Sequence, residues 1–326
     1  LNVLIMGDTD NLVIWIKLHN LIVVNFGKWR RMMWIPSSVT SLQPDMSNNL
    51  ILDKKDKRFN ITGISVGIAK RLSVPDDFFT LSQALSYQHY NLKNYNTGLF
   101  TFGNGSSNNL SYTVGISRNN TSVDPIYPTG GSKWELTAKV TLPYSAFNNV
   151  DYKALKEERE QLFEDLEQDP TDTEASTRIS EIDQERFNWL EFYKIKFKVD
   201  WYTRIIGDLV LKPTMEFGYL GAYNNDRGVI PYERFFLGGD GLGSYSLDGR
   251  EAIALRGYPN QSLSSQDGGA IYNKFSLELR YPISLGAQAK IYALAFLEGG
   301  QSYETFRDYN PFSINRSGGF GLRLFM

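Results

Sequence analysis

Apolar and polar residues alternate along most of this chain from residue 58 onward, in stretches of about 10–13 residues. In the stretch 193–205, lysines and an aspartate occupy one set of alternate positions, and the other set holds Ile195, Phe197, Val199 and Trp201. A period of two predicts β-strands with one polar and one apolar face. The same pattern predicts strands at 58–72, 78–92, 110–120, 133–140, 208–223, 271–283, 289–303 and 316–326, with a loop at 96–109.

These strands are long for a soluble sheet. Strands of globular proteins average about 5–6 residues, whereas a tilted strand needs about 9–11 residues to cross a bilayer. The connections alternate between short turns, at 73–77, 127–131 and 284–288, and long loops, at 93–109, 148–190, 224–270 and 300–315. Outer-membrane barrels have short periplasmic turns and long outer loops. We therefore predict an all-β fold, a transmembrane antiparallel β-barrel, with a soluble β-sandwich as the alternative.

A charged stretch at 148–190 interrupts the alternation. Leu155, Leu162 and Leu166 predict a short amphipathic helix that ends at Asp169-Pro170, and a second helix could follow. Because a charge run is usually a solvated face, we interpret the stretch as a solvated helical insertion in an outer loop. A dedicated binding site is the alternative.

The composition excludes several classes of function. The 326 residues have a formal net charge of -2, which provides no basic face for nucleic acid. The chain has no cysteine and only two histidines, His19 and His89, so we expect no disulfide, metal site or catalytic triad. The glycine-rich segment 237–243 lacks the Lys-Ser/Thr end of a phosphate-binding loop. We therefore expect no catalytic residue and no cofactor.

The hydropathy agrees with membrane strands rather than membrane helices. No stretch offers about 20 consecutive apolar residues, as a transmembrane helix requires. A mean hydropathy of -0.32 with 14% aromatic residues is typical of strands that alternate apolar and polar positions. No signal-peptide pattern is visible at the start of the sequence.

Three segments carry a resemblance to a known family. The sequence "LRGYP" at 255–259 resembles the signature of the inward-folded loop of BamA-type outer-membrane assembly proteins. The segment 127–143, "YPTGGSKWELTAKVTLP", resembles a turn of that family and the strand after it. The segment 235–259 is similar to the lead-in to the signature loop in Bacteroidota-type members. The three matches occur in the family's order, and the resemblance covers 59–326.

The resemblance implies roles for individual residues. The loop 224–270 is expected to fold into the lumen, where Arg256 pairs with Glu278 and Glu298. A guanidinium in a lumen favours carboxylate partners, because its planar fork suits them. The loop residues of this predicted latch, which would be structural or gating, are Arg256, Gly257 and Tyr258. The implied periplasmic turn motif comprises Tyr127, Pro128, Thr129 and Gly131.

The sequence also departs from the family pattern. The family barrel has sixteen strands, and we expect the last two, which would follow 316–326, to be missing here. We also expect part of the first strands of the barrel to be missing. The segment 1–58, which would have to contain them, is atypical and is a candidate for only some of these strands. The periplasmic repeat domains of the family are not visible in the sequence.

The resemblance implies a non-enzymatic function: the barrel subunit of the machinery that folds and inserts β-barrel proteins into the bacterial outer membrane. The implied location is integral to that membrane. The implied partners are outer-membrane lipids and lipopolysaccharide, unfolded outer-membrane proteins and accessory assembly lipoproteins, without nucleic acid. The alternative is a substrate-translocating secretion barrel of the same superfamily. An outer-membrane enzyme is a third hypothesis, which the lack of a Ser/His/Asp arrangement disfavours.

Overall fold

A computed structural model describes the backbone of 2–6, 12–20 and 39–41, and then residues 58–93, 102–122, 124–230, 232–240, 251–286 and 288–325. The side chains at 58 and 59 are not described. The rest of the atypical segment 1–58 and the second half of the glycine-rich segment 237–243 lie outside these residues. The strands are β1 (Asn2–Met6), β2 (Leu12–Asn20), β3 (Val39–Ser41), β4 (Arg58–Leu72), β5 (Phe79–Lys93), β6 (Gly105–Asn119), β7 (Gly130–Thr141), β8 (Tyr193–Ile206), β9 (Leu209–Gly221), β10 (Phe235–Leu237), β11 (Glu251–Ile253), β12 (Ile271–Leu285), β13 (Lys290–Tyr303) and β14 (Asn315–Phe325).

One antiparallel sheet contains twelve of these strands. Its order is β1-β2-β4-β5-β6-β7-β8-β9-β12-β13-β14, and β3 also pairs with β4. The remaining two strands, β10 and β11, form a small parallel pair within the chain segment that connects β9 to β12. Short turns join β4 to β5, β6 to β7, β8 to β9 and β12 to β13 at one end of the sheet, which we call the turn end. The other end, which carries the longer connections, is called the outer end.

The burial of this sheet is opposite to that of a soluble protein. On β8, Lys194 is only 3% exposed and Asp200 only 8%, whereas the neighbouring Trp201 is 57% exposed. The same inversion occurs on β12, where Glu278 is buried and Leu277 is exposed. Apolar side chains that point outward belong in lipid, and polar ones that point inward line a lumen. The burial therefore favours the membrane barrel over the soluble sandwich.

Two helices form the insertion between β7 and β8. Helix α1 (Tyr152–Gln168) and helix α2 (Thr173–Arg186) are each capped by an aspartate, Asp151 and Asp172, whose side chain accepts two backbone N–H groups. Helix α2 buries Ile179 and Ile182, so the expectation of a solvated insertion is wrong for one face of this helix. Among the described residues, no helix is long and apolar enough to span a membrane.

The predicted loop at 96–109 is wrong in its last five residues, because β6 already begins at Gly105. The polar run at the start of β6 is held by the helical insertion. The side chain of Gln184 accepts the Ser106 N–H at 2.8 Å, and Asn108 exchanges backbone hydrogen bonds of 2.7 Å with Asn188 and Leu190. A polar strand with such partners carries no apolar alternation, so the sequence pattern could not reveal it.

Candidate functional site: the loop in the lumen

The loop 224–270, called the signature loop, packs its apolar residues into the outer end of the barrel. Phe235, Leu237 and Leu255 are fully buried, in one cluster with Tyr90 and Tyr272 of the barrel wall. The ring centroid of Phe235 lies 4.7 Å from that of Tyr272. The described part of the loop therefore lies inside the barrel.

Arg256 contacts both carboxylates that the sequence predicts as its partners. Its Nη2 lies 2.6 Å from Oε1 of Glu298 and 2.8 Å from Oε1 of Glu278. Its backbone N–H donates to Oε2 of Glu298 at 2.8 Å. The guanidinium also lies 3.8 Å from the ring centroid of Phe296, a cation–π contact. The structure thus brings together Arg256, Glu278 and Glu298, which we call the Arg256 latch.

Glu278 has two further cationic partners. Arg280 donates to its Oε2 at 2.6 and 2.8 Å, and Arg323 of β14 lies 3.5 Å from its Oε1. Glu278 and Arg280 are two residues apart on β12 and therefore share its inner face. The polar alternation of 271–283 already placed them on one face, but the sequence analysis did not identify Arg280 as a partner.

Gly257 and Tyr258 bring the signature loop against the last described strand. Gly257 has a φ of +88°, which favours glycine, and a Cβ there would lie 3.0 Å from Cβ of Ser317. The hydroxyl of Tyr258 donates to the backbone carbonyl of Arg316 at 2.8 Å. Both residues therefore touch β14, a contact that the sequence did not predict.

A second charged group, which the sequence analysis missed, holds the other side of the loop. Lys194 Nζ lies 2.9 Å from Oε2 of Glu233 and 2.5 Å from Oε2 of Glu251. Lys139 also pairs with Glu233, and Lys196 lies 3.0 Å from Glu251. We call these five residues the lysine cluster. The sequence offered one signal for this cluster. Lysines recur on the inner faces of β7 and β8, and buried lysines require acidic partners.

The charges of the lysine cluster shift the titration of its two loop carboxylates. Burial alone would raise the pKa of Glu233, but Lys139 and Lys194 outweigh it and hold this pKa well below its usual range. Burial also raises the pKa of Glu251, but Lys194 and Lys196 outweigh it, so this pKa is lowered too. Both carboxylates are therefore ionised at neutral pH and attract the lysines of the wall.

A third contact joins the signature loop to the helical insertion. Arg227 Nη1 lies 2.6 Å from Oε2 of Glu191, and both side chains are almost fully buried. Arg227 also donates from Nε to the carbonyl of Arg186 at 2.8 Å. The carboxylate of Glu191 in turn accepts the N–H of Ser145 at 2.6 Å. The insertion is therefore bound to the loop inside the barrel.

The predicted turn motif packs against the inner wall at the turn end of the barrel. Tyr127 is buried, its ring centroid lies 5.3 Å from that of Tyr292, and its hydroxyl lies 2.9 Å from the carbonyl oxygens of Asp208 and Arg280. Burial raises the pKa of Tyr127 to about 12, so the hydroxyl keeps its proton as a donor.

The other residues of this motif shape the turn. Pro128 is buried beside Tyr127, and the N–H of Thr129 donates to Oγ of Ser122 at 2.9 Å. Gly131 has a φ of +90°, and a Cβ there would lie 2.2 Å from the carbonyl oxygen of Asn120. Only glycine therefore fits this position without rearrangement of the turn.

Within the described ranges, no group of three or more histidine, aspartate or glutamate side chains is arranged to hold a metal ion. His89 of β5 lies with its Nδ1 2.9 Å from Oδ1 of Asn108. The charged residues of the site are paired with one another, an arrangement suited to holding a loop in place.

The chain belongs to the Omp85 superfamily, because the model of the Omp85 superfamily domain matches residues 33–324. Members of this superfamily are outer-membrane β-barrel proteins. No curated protein matches the chain in sequence.

Two solved structures are similar to this chain. The crystal structure of BamA from Haemophilus ducreyi lacking POTRA domains 1-3 is 17% identical with a TM-score of 0.50, over 82% of this chain and 48% of that one. CdiB from Escherichia coli is 12% identical with a TM-score of 0.43, over 96% of this chain and 43% of that one. This chain therefore spans about half the length of the BamA chain, and the likeness to BamA shows the barrel fold.

Proposed function

We propose that the protein is the barrel subunit of a BamA-type machine, of the Bacteroidota kind, that folds and inserts β-barrel proteins into the bacterial outer membrane. In this role it is integral to that membrane and catalyses no chemical reaction. Its partners are unfolded outer-membrane proteins, accessory assembly lipoproteins, and outer-membrane lipids including lipopolysaccharide. Superfamily membership supports the membrane location, and the resemblance of three segments in the family's order supports the BamA type.

The observation that carries the proposal is the fixation of the signature loop across the lumen. The Arg256 latch ties the loop to β12 and β13, and the lysine cluster ties it to β7 and β8. A polypeptide passing through the pore would have to displace both groups and separate buried charges, which is costly. Insertion at an open sheet edge requires no such displacement, because an unpaired strand offers its backbone to an incoming strand.

In this proposal the Arg256 latch is structural and gating. It keeps the signature loop against the inner wall while the membrane nearby is destabilised and client strands are added. The turn motif at Tyr127 supports the same state from the turn end, where its hydroxyl contacts the backbone of two neighbouring hairpins.

Depletion of the protein from its native cell tests the function. We expect many unrelated β-barrel proteins to disappear from the outer-membrane fraction, measured by quantitative mass spectrometry. The alternative is a secretion barrel of the same superfamily. Loss of one exported protein, with all other barrels at normal abundance, would establish that alternative and refute the assembly function.

A further inference from the structure

A groove lies on the membrane-facing side of the barrel, outside the lumen. The segment 304–314 between β13 and β14, which we call the outer flap, borders the outer end of this groove through Ile314. The ring centroid of Phe306 lies 5.8 Å from that of Tyr219, and that of Tyr309 lies 6.0 Å from that of Phe217. Tyr219 and Phe217 alternate with the inward residues of β9 and point outward. The flap therefore folds over the outer surface of the sheet.

Hydrogen bonds fix the outer flap in this position. The hydroxyl of Tyr303 donates to the carbonyl oxygen of Ser313 at 2.8 Å. Nδ2 of Asn273 donates to the carbonyl oxygen of Pro311 at 3.4 Å. Next to these bonds, the side chain of Ile314 contacts Gly299. A Cβ at Gly299 would lie 2.8 Å from Cδ1 of Ile314. The absence of a side chain at Gly299 thus lets Ile314 approach the sheet.

The floor of the groove consists of cross-strand rows of outward residues. The strand register places one row side by side across five strands: Val199, Met215, Phe275, Gly299 and Arg316. The next row toward the turn end contains Pro213, Leu277, Leu297 and Gly318. A hollow of about 660 Å³ lies over these two rows. Glycine at two positions and large apolar residues around them make this part of the surface concave.

A second hollow of about 490 Å³ continues the first toward the turn end. Leu277 and Leu297 line both hollows, and Leu279, Ala295 and Phe320 form the next row. From Phe275 to Leu279 the groove extends over four residues, roughly 13 Å at about 3.3 Å per residue. This is close to the depth of one leaflet, half of a hydrocarbon core about 30 Å thick.

The outer rim of the groove carries one cation. Arg316 is exposed and points outward, in alternation with Gly318 and Phe320. Among the described residues, no carboxylate lies within ion-pair distance of its guanidinium. An arginine at the boundary of the hydrocarbon region keeps its charge at headgroup level. A phosphate there would supply the missing anion.

We infer that this groove binds one acyl chain of a phosphate-bearing lipid of the outer leaflet, with Arg316 paired to the phosphate. The groove is apolar, is of ligand size and faces the hydrocarbon. A client strand is a poor occupant, because the backbones of β9, β12 and β13 beneath it are paired on both sides. The inference rests on the proposed membrane location and is independent of the assembly activity.

The experiment measures lipid retained by the full-length protein in neutral detergent, by native mass spectrometry, with lipid A and dephosphorylated lipid A as probes. We expect one tightly bound lipid A. Replacement Arg316→Ala should weaken its retention about fivefold, the contribution expected of one cation near a lipid surface. Replacement Gly318→Leu, which fills the groove, should weaken it about tenfold, because it excludes methylenes of the chain.

Two controls keep the result interpretable. Lys70 is an exposed outward cation near the turn end, and Lys70→Ala should leave lipid retention unchanged. Heat-modifiability on gels verifies that each variant is folded. Equal retention of lipid A and its dephosphorylated form, or retention unaffected by both groove variants in folded protein, would overturn the inference. The depletion phenotype of the protein is a separate readout, so the two proposals can fail separately.

Discussion

Two parts of the inner wall differ in how they are stabilised. On β4, β5 and β6 many inward positions hold small and hydroxyl-bearing residues, such as Ser65, Ser82 and Ser86. Their hydrogen bonds join adjacent strands, as between Oγ of Ser65 and Oγ of Ser86 at 2.6 Å. By contrast, β7, β8, β12 and β13 carry inward charged residues that pair with the signature loop: Lys139, Lys194, Lys196, Glu278 and Glu298. The charged wall therefore positions the loop by ion pairs, whereas the hydrogen bonds of the hydroxyl wall join its own strands.

The largest effect is expected from Lys194, which is buried between two loop carboxylates. Lys194→Met removes the cation that Glu233 and Glu251 share and leaves them with Lys139 and Lys196 alone. Breaking a buried pair costs roughly 3–5 kcal/mol, and because each carboxylate keeps one lysine we expect the lower end of that range. We expect a lower temperature of heat-modification and a loop that proteases can cleave. Lys198→Met is the matched control, because its side chain is 53% exposed in its pair with Glu216. Equal effects of the two changes would show that the buried position has no special role.

Arg256→Ala should have the next largest effect. It removes one cation from Glu278 and Glu298, but Glu278 retains Arg280 as a partner at 2.6 Å. Because Arg256 is partly exposed and Glu278 stays paired, the loss should be smaller, on the order of 2 kcal/mol. Limited proteolysis of the signature loop measures it. If the loop stays as resistant as in the unchanged protein, the latch does not hold it.

Acid should release the side of the loop held by the lysine cluster, but only at low pH. The pKa values of Glu233 and Glu251 are lower in the folded state than the ordinary value of 4.5. A lowered folded-state pKa gives stability that is fully present above the unfolded-state value and is lost as the pH falls through the folded-state value. Protease resistance should therefore be constant from pH 7 to pH 5 and decrease below about 4.5. A decrease already at pH 6 would contradict this account.

The smallest effect is expected on the hydroxyl wall. Ser65→Ala removes one side-chain hydrogen bond to Ser86, which contributes about 1 kcal/mol. The temperature of heat-modification should decrease slightly, and protease resistance of the signature loop should not change. Increased cleavage of the loop in this variant would mean that the hydroxyl wall also positions it.

The sequence predicted most of the fold because alternation and strand length are local properties. The long strands on both sides of each short turn were identified, as were both helices of the insertion. The start of β6 was missed because Gln184 and Asn188, distant in sequence, satisfy its polar residues. Local patterns cannot report such contacts.

The candidate site was partly predictable for the same reason. Arg256, Glu278 and Glu298 were identified through a resemblance, and the inner face of β12 could have added Arg280. The lysine cluster required knowledge of where the loop lies, since Glu233 and Lys194 are brought together only by the folded chain. The outer flap and its groove depend on the register of β8 through β14, which the sequence does not specify.

The most direct test of the central claim, that the charged wall positions the signature loop, is a double-mutant cycle between Arg256 and Glu298. The measurement is the resistance of the loop to proteolysis in the unchanged protein, in Arg256→Ala, in Glu298→Gln and in the double variant. If the two side chains act as a pair, the double variant loses little more than the more affected single variant. Losses that simply add would contradict the account.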